Sequence, residues 1–405
     1  MADLPLVRAL SERARRFAAL PAHSRVSRLA RDVTNTISLC GAVPDLAPPV
    51  SVRAATVAAL RSGLTRYAPV KGLPALCEAI AAKLRRESGL AYDPETEILV
   101  TNGSQEALFL AAQALLDPGD LLLVPDPRYL GYDLAALGAG GDTALVPTRP
   151  EDGYRPRPEV VEARITSRTK GLVLCSPHFP TGAVYTEQTL RALGGLAIRH
   201  DLVVISDELY DRLVFDGAVH RSIAALPGLW ERTIVVGGVS KAYAMAGWRI
   251  GWLAAPAPFI RAIETLRHGL SICPSPFAQQ AAAEALNGGE AWLAATLAEY
   301  AARRRLVRAV LDELGLGCPW SRGAFFLFPD VRTLGLDSRM LAERLLREAR
   351  VVVQAGASFG PAGEGGLMLS VLQPRDRLQE ALSRLAATIE GLRAGTVPEG
   401  MAATA

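Results

Sequence analysis

Long apolar runs are missing from this chain of 405 residues. The most apolar stretches, 171–177 and 202–206, are strand-length and far short of the roughly 20 residues a membrane-spanning helix needs. Residues 1–10 lack a basic start followed by an apolar stretch, so no secretory signal is expected. Cysteine is scarce. Cys40, Cys77, Cys175, Cys273 and Cys318 are odd in number, scattered and without Cys-x-x-Cys spacing. That pattern argues against disulfides or a metal site and for buried thiols in a reducing, cytoplasmic setting. An excess of one charge is absent too: 44 Lys+Arg against 41 Asp+Glu leave +3, with no basic run, so nucleic acid is not an expected partner. What the chain does have is bulk: it is 50% hydrophobic and 21% charged, which excludes disorder and supplies a large core. There is no internal repeat and no low-complexity linker.

Short apolar runs alternate with helical periods through the middle of the chain. Residues 97–101, 121–125, 143–147, 171–176, 202–207, 233–240 and 249–254 read as strands, several without polar alternation, as in strands covered on both faces. Residues 104–116, 129–137, 186–199 and 258–268 read as helices between them. This is an α/β pattern, a sheet with right-handed crossovers and a ligand at the carboxyl ends of its strands. After about residue 285 the character changes to a long helix, 289–314, then strands at 324–329, 351–354 and 367–371 and a closing helix, 376–393. The expected division is an N-terminal arm and part of a small domain (1–45), a large domain (46–285) and the rest of a small α+β domain (286–405). The arm carries one Arg-rich helix, 6–20, and residues 396–405 are expected to fray.

Three motifs carry chemistry. Lys241 follows an apolar strand end directly, in Val239-Ser240-Lys241-Ala242-Tyr243. Burial there lowers a lysine's pKa and makes its amine a nucleophile toward carbonyls. Ser206-Asp207-Glu208-Leu209-Tyr210 closes a second apolar strand with two carboxylates and a phenol, Asp207 being the better placed acid. Thr101-Asn102-Gly103-Ser104-Gln105 runs from strand through glycine into a helix, whose free N–H groups and dipole suit a phosphate.

A lysine, an acid and a phosphate cradle are what pyridoxal phosphate requires. Here the sequence resembles the class I/II aminotransferases of fold type I, over about residues 30–375 and with the motifs in order. The most specific is Ser240-Lys241 followed by Gly247-Trp248-Arg249-Ile250-Gly251. The resemblance implies roles residue by residue. Lys241 would hold the cofactor aldehyde as an imine and later move a proton. Asp207 would partner the pyridinium nitrogen, Tyr210 the ring's phenolic oxygen, and Arg249 with Gly103, Ser104 and Gln105 the phosphate; Ser240 would bind the cofactor too. Tyr129 would stack on the ring. Tyr67, in Thr65-Arg66-Tyr67, would reach the phosphate of a second subunit, making the working unit a homodimer.

Three departures bear on the substrate. The family's Asn-Pro-x-Asn-Pro-Thr-Gly stands here as Ser176-Pro177-His178-Phe179-Pro180-Thr181-Gly182, so Phe179 replaces an asparagine that donates to the cofactor's phenolic oxygen. Met368 replaces the arginine that clamps the substrate's α-carboxylate, unless the register differs and Arg375 or Arg377 serves. Ala42 replaces a glycine that approaches the same carboxylate. Losing a charge-assisted pair costs on the order of 1.5–3 kcal/mol. The expected substrate either lacks an α-carboxylate or has it held elsewhere, with Arg128 and His178 as candidates. The implied function is an aminotransferase on an unusual amino substrate, in specialised biosynthesis; the alternative is a decarboxylating, β-eliminating or oxidising enzyme on the same scaffold.

Overall fold

Seven strands form the central sheet of the computed structural model, which describes residues 5–20 and 25–395. In chain order they are β1 (Ile98–Thr101), β2 (Leu121–Asp126), β3 (Asp142–Pro147), β4 (Thr169–Cys175), β5 (Val203–Asp207), β6 (Thr233–Gly238) and β7 (Gly251–Ala254). Their spatial order is β1-β7-β6-β5-β4-β2-β3. β7 is antiparallel to both its neighbours and the remaining pairs are parallel, so the sheet is mixed and mostly parallel. The unbroken apolar character of the strands has its reason in two covered faces. Val124, Val173 and Ile205 pack with Leu108 and Ala111 of the helix Ser104–Leu115. Their chain neighbours Leu123, Leu172 and Val204 point the other way, onto Leu190, Leu193 and Leu196 of the helix Glu187–Arg199. Each such side chain contributes about 1.5–3 kcal/mol by leaving water.

A second core gathers the C-terminal part of the chain. There β8 (Phe326–Leu327), β10 (Gln354–Ala355) and β11 (Leu367–Ser370) make an antiparallel sheet in the order β10-β11-β8. β9 (Val351–Val352) pairs in parallel with the two-residue strand Ile37–Ser38, tying the N-terminal segment to this part. The helices Glu290–Glu313 and Arg375–Arg393 supply Tyr300, Val307, Leu378 and Leu385 to that core. Among the described residues no helix is long and apolar enough to cross a membrane.

Several sequence expectations are corrected here. The single helix at 6–20 is two, Pro5–Arg8 and Glu12–Ala19, because Ser11 leaves helical geometry and its side chain caps the second by accepting from the Ala14 amide at 3.2 Å. The strand expected at 249–254 starts only at Gly251, since Arg249 adopts a left-handed φ of 56°. That at 324–329 is reduced to Phe326–Leu327 after Ala324, which also has positive φ. Residues 396–405 lie outside the described residues.

Candidate active site

The parallel strands β4, β5 and β6 deliver their carboxyl ends to one rim, and Asp207, Tyr210 and Lys241 follow from them there. Asp207, the last residue of β5, sits opposite Cys175 in the register and is 5% exposed. Its Oδ2 accepts from the Tyr132 hydroxyl at 2.8 Å and its Oδ1 from the Leu209 amide at 3.2 Å. Burial pushes its pKa above the usual carboxylate range, against the pull of those two donors and of Lys241. Such a group gains by facing a cation. Glu208 turns away to a separate buried cluster, accepting from Ser206 and Ser222 at 2.7 and 2.6 Å. Glu208 is thus engaged apart from Asp207.

Lys241 follows β6 through buried Ser240. Its Nζ stands 5.9 Å from the centre of the Tyr210 ring and donates to the Ala42 carbonyl at 2.7 Å. Burial, assisted by Arg249 and opposed by Asp207, lowers its pKa to about 8. Tyr210 is buried, which holds its phenol protonated well above the ordinary range.

The expected phosphate cradle draws on two chain segments. Gly103, at φ 78°, opens the helix Ser104–Leu115, and Arg249 lies across it, donating to the Asn102 carbonyl at 3.2 Å. A Cβ on Gly103 would lie 2.3 Å from the Arg249 guanidinium, and one on Gly251 would lie 2.5 Å from the Ser104 amide nitrogen. Only glycines let the two backbones and the arginine converge on the helix start. Gln105 accepts from the Tyr129 hydroxyl at 2.8 Å, and Tyr129 is 39% exposed.

Phe179 is half-buried where it meets three rings edge-on: Tyr129 at 5.8 Å, Phe326 at 5.2 Å and Phe359 at 5.3 Å. Tyr67 is 80% exposed and Ala42 half-buried. Met368 is 1% exposed within β11. Neither alternative arginine replaces it: Arg375 is paired with Glu299 at 3.1 Å and Arg377 with Glu380 at 2.7 Å, both on the closing helix.

Arg128 and His178, the expected carboxylate holders, are both engaged with neighbours of their own. Arg128 spends its guanidinium on Asp126 at 2.9 Å and on Asp133 at 2.8 and 3.0 Å. His178 is buried against Thr181 at 2.8 Å, and burial lowers its pKa to about 3, so it stays neutral. Sequence reasoning missed Tyr132. Its signal was the three-residue step from Tyr129, which puts both phenols on one side of a helical turn.

Geometry and motif order point the same way as comparison with known proteins. The model of the family "Aminotransferase class I and II" matches residues 34–385. The chain belongs to that family. It is 39% identical to an aspartate aminotransferase of Pyrococcus abyssi over 88% of this chain and 92% of that one. Among solved structures, an aromatic aminotransferase from Pyrococcus horikoshii superposes with a TM-score of 0.86 at 39% identity, covering 92% of this chain and all of that one. The Thermus thermophilus aspartate aminotransferase with maleate gives 0.87 at 39% identity, over 94% of this chain and all of that one. The fold is therefore fold type I, and this aminotransferase is a transferase enzyme.

Proposed function

We propose that this aminotransferase holds pyridoxal 5′-phosphate at Lys241 and acts on an amino substrate that is not gripped by an arginine through an α-carboxylate. The observation that carries the reading is the pairing of a buried acid with a depressed lysine beneath one rim, next to a cradle only glycines could line. The cofactor, when bound, supplies an electron sink for bonds at the carbon bearing the amino group. Asp207, buried and oriented by Tyr132, keeps the ring nitrogen protonated. Tyr210 sits beside Lys241 as a donor to the ring's phenolic oxygen, and Tyr129 offers its face to the ring. Arg249 and the turn Gly103-Ser104-Gln105 hold the phosphate, the fork of the guanidinium matching its oxygens. Lys241 would be the group that moves a proton at the carbon bearing the amino group. Tyr67, exposed on one chain, suits a homodimer in which it reaches a second subunit's phosphate. A cytoplasmic enzyme of specialised biosynthesis fits the unusual substrate side.

Cofactor capture tests this reading. Only the neutral amine attacks an aldehyde, so the rate of reconstitution from pyridoxal phosphate should rise about tenfold per pH unit below 8 and level off above it. An ordinary lysine would keep accelerating to beyond about pH 10. Continued acceleration past pH 9 would sink the assignment of a buried, depressed Lys241.

Phe179 gives a second expectation. Phenylalanine cannot donate to the phenolic oxygen, so that oxygen keeps more negative charge and holds the neighbouring proton more firmly. Phe179→Asn restores a donor. The pH midpoint of the bound cofactor's visible absorbance should fall by about 1–2 units, the equivalent of one hydrogen bond to a charged group. An unchanged midpoint would place Phe179 away from that oxygen.

A further inference from the structure

The register of the C-terminal sheet decides what faces the reacting carbon. Met368 stands opposite Gln354 and Ser370 opposite Phe326. Opposed residues, and residues two apart on one strand, share a face. Gln354, Met368, Ser370 and Phe326 therefore line one face, and Phe326 and Ser370 connect it to the neighbours of Lys241. Phe326 packs on Phe179 at 5.2 Å and on Tyr210 at 5.7 Å. A Cβ on Gly41 would lie 4.0 Å from Ser370 Oγ, and the next residue, Ala42, accepts from Lys241 Nζ.

This face carries a carboxamide, a thioether, a hydroxyl and a phenyl ring, and no charge. Arg303 comes near, donating to the Val371 carbonyl at 3.3 Å, but Asp45 and Glu299 both neutralise it at 2.8 Å. A carboxylate set against this face would lose hydration without gaining a cation, which is strongly unfavourable. The Ser370 hydroxyl is fully buried and has no hydrogen-bond partner, although its own amide is satisfied by Leu39 at 2.6 Å. A buried hydroxyl left unpaired is costly and marks a group waiting for one. Its neighbour Met368 is unbranched, with three rotatable bonds, and is the side chain best able to yield to an incoming group.

We infer that the substrate is a primary amine whose reacting carbon carries a neutral hydrogen-bonding substituent, such as a hydroxymethyl group, where an amino acid carries its carboxylate. Ser370 receives that substituent, and Met368 excludes the charged one. The inference rests on cofactor binding at Lys241.

Absorbance titration of the holoenzyme tests it with four probes: L-phenylalaninol, phenethylamine, L-phenylalanine and maleate. L-Phenylalaninol should half-saturate at a concentration at least tenfold below L-phenylalanine, and maleate should leave the spectrum unchanged. Ser370→Ala should weaken L-phenylalaninol about tenfold, the worth of one neutral hydrogen bond, without moving phenethylamine. Ser370→Thr should restore most of the loss. Met368→Arg should reverse the order, favouring L-phenylalanine by at least tenfold and admitting maleate. L-Phenylalanine or maleate binding the unaltered enzyme as tightly as L-phenylalaninol would overturn the substrate class. Equal losses for both amines in Ser370→Ala would overturn the part given to Ser370. Failure to form the cofactor band would overturn this inference together with the reading beneath it, whereas a normal band with the wrong probe order overturns this inference alone.

Discussion

Lys241→Ala should lose the visible band of bound cofactor and should lower turnover by on the order of 10³-fold or more. Two roles disappear in one substitution. The covalent hold on the aldehyde goes, and so does the group that moves a proton at the reacting carbon, which by itself is worth about 10²–10⁴-fold. The site predicts that the folded state survives, because among the described residues the Lys241 amine is held by the Ala42 carbonyl, with the Tyr210 ring 5.9 Å away. Circular dichroism should therefore match the unaltered protein while absorbance and activity collapse. A retained band would mean that another lysine does the chemistry.

Asp207→Asn should separate binding from catalysis. Removing one partner of a buried charge pair costs about 3–5 kcal/mol, so turnover should fall by roughly 10²–10⁴-fold. The band should persist because Lys241 is untouched. Tyr132→Phe makes a graded comparison: it removes the 2.8 Å donor to Asp207 but leaves the carboxylate, and about 1.5–3 kcal/mol, or tenfold to a hundredfold, is expected. Steady-state kcat measured beside cofactor affinity checks both. If Asp207→Asn changed neither, Asp207 would be a structural acid, and the ring nitrogen would lie elsewhere.

How far the sequence revealed this arrangement depended on whether the deciding interaction was local. Strands β4 and β5 were readable because two covered faces leave nothing but apolar residues, and Lys241 and Asp207 were readable because polar groups at such strand ends stand out. The cradle was half visible. Gly103 and Ser104 announced a helix start, but their meeting with Gly251, 147 residues after Ser104 in the chain, is a product of β1 pairing with β7. The engagement of Arg128 was not legible, because its partner Asp133 faces it only once the helix Gly131–Ala139 has set its direction. The neutrality of His178 follows from burial, which the motif around it does not encode. Met368 was the opposite case. The motif located the substitution, and the sheet register then showed that its whole face is uncharged.

The most direct test is to reduce the reconstituted protein with borohydride, digest it and weigh the peptides. The chain holds four lysines, Lys71, Lys83, Lys170 and Lys241, so the assignment is unambiguous. The phosphopyridoxyl mass should appear on the peptide containing Lys241 and on no other. Label on Lys71, Lys83 or Lys170, or no label at all, would contradict the account.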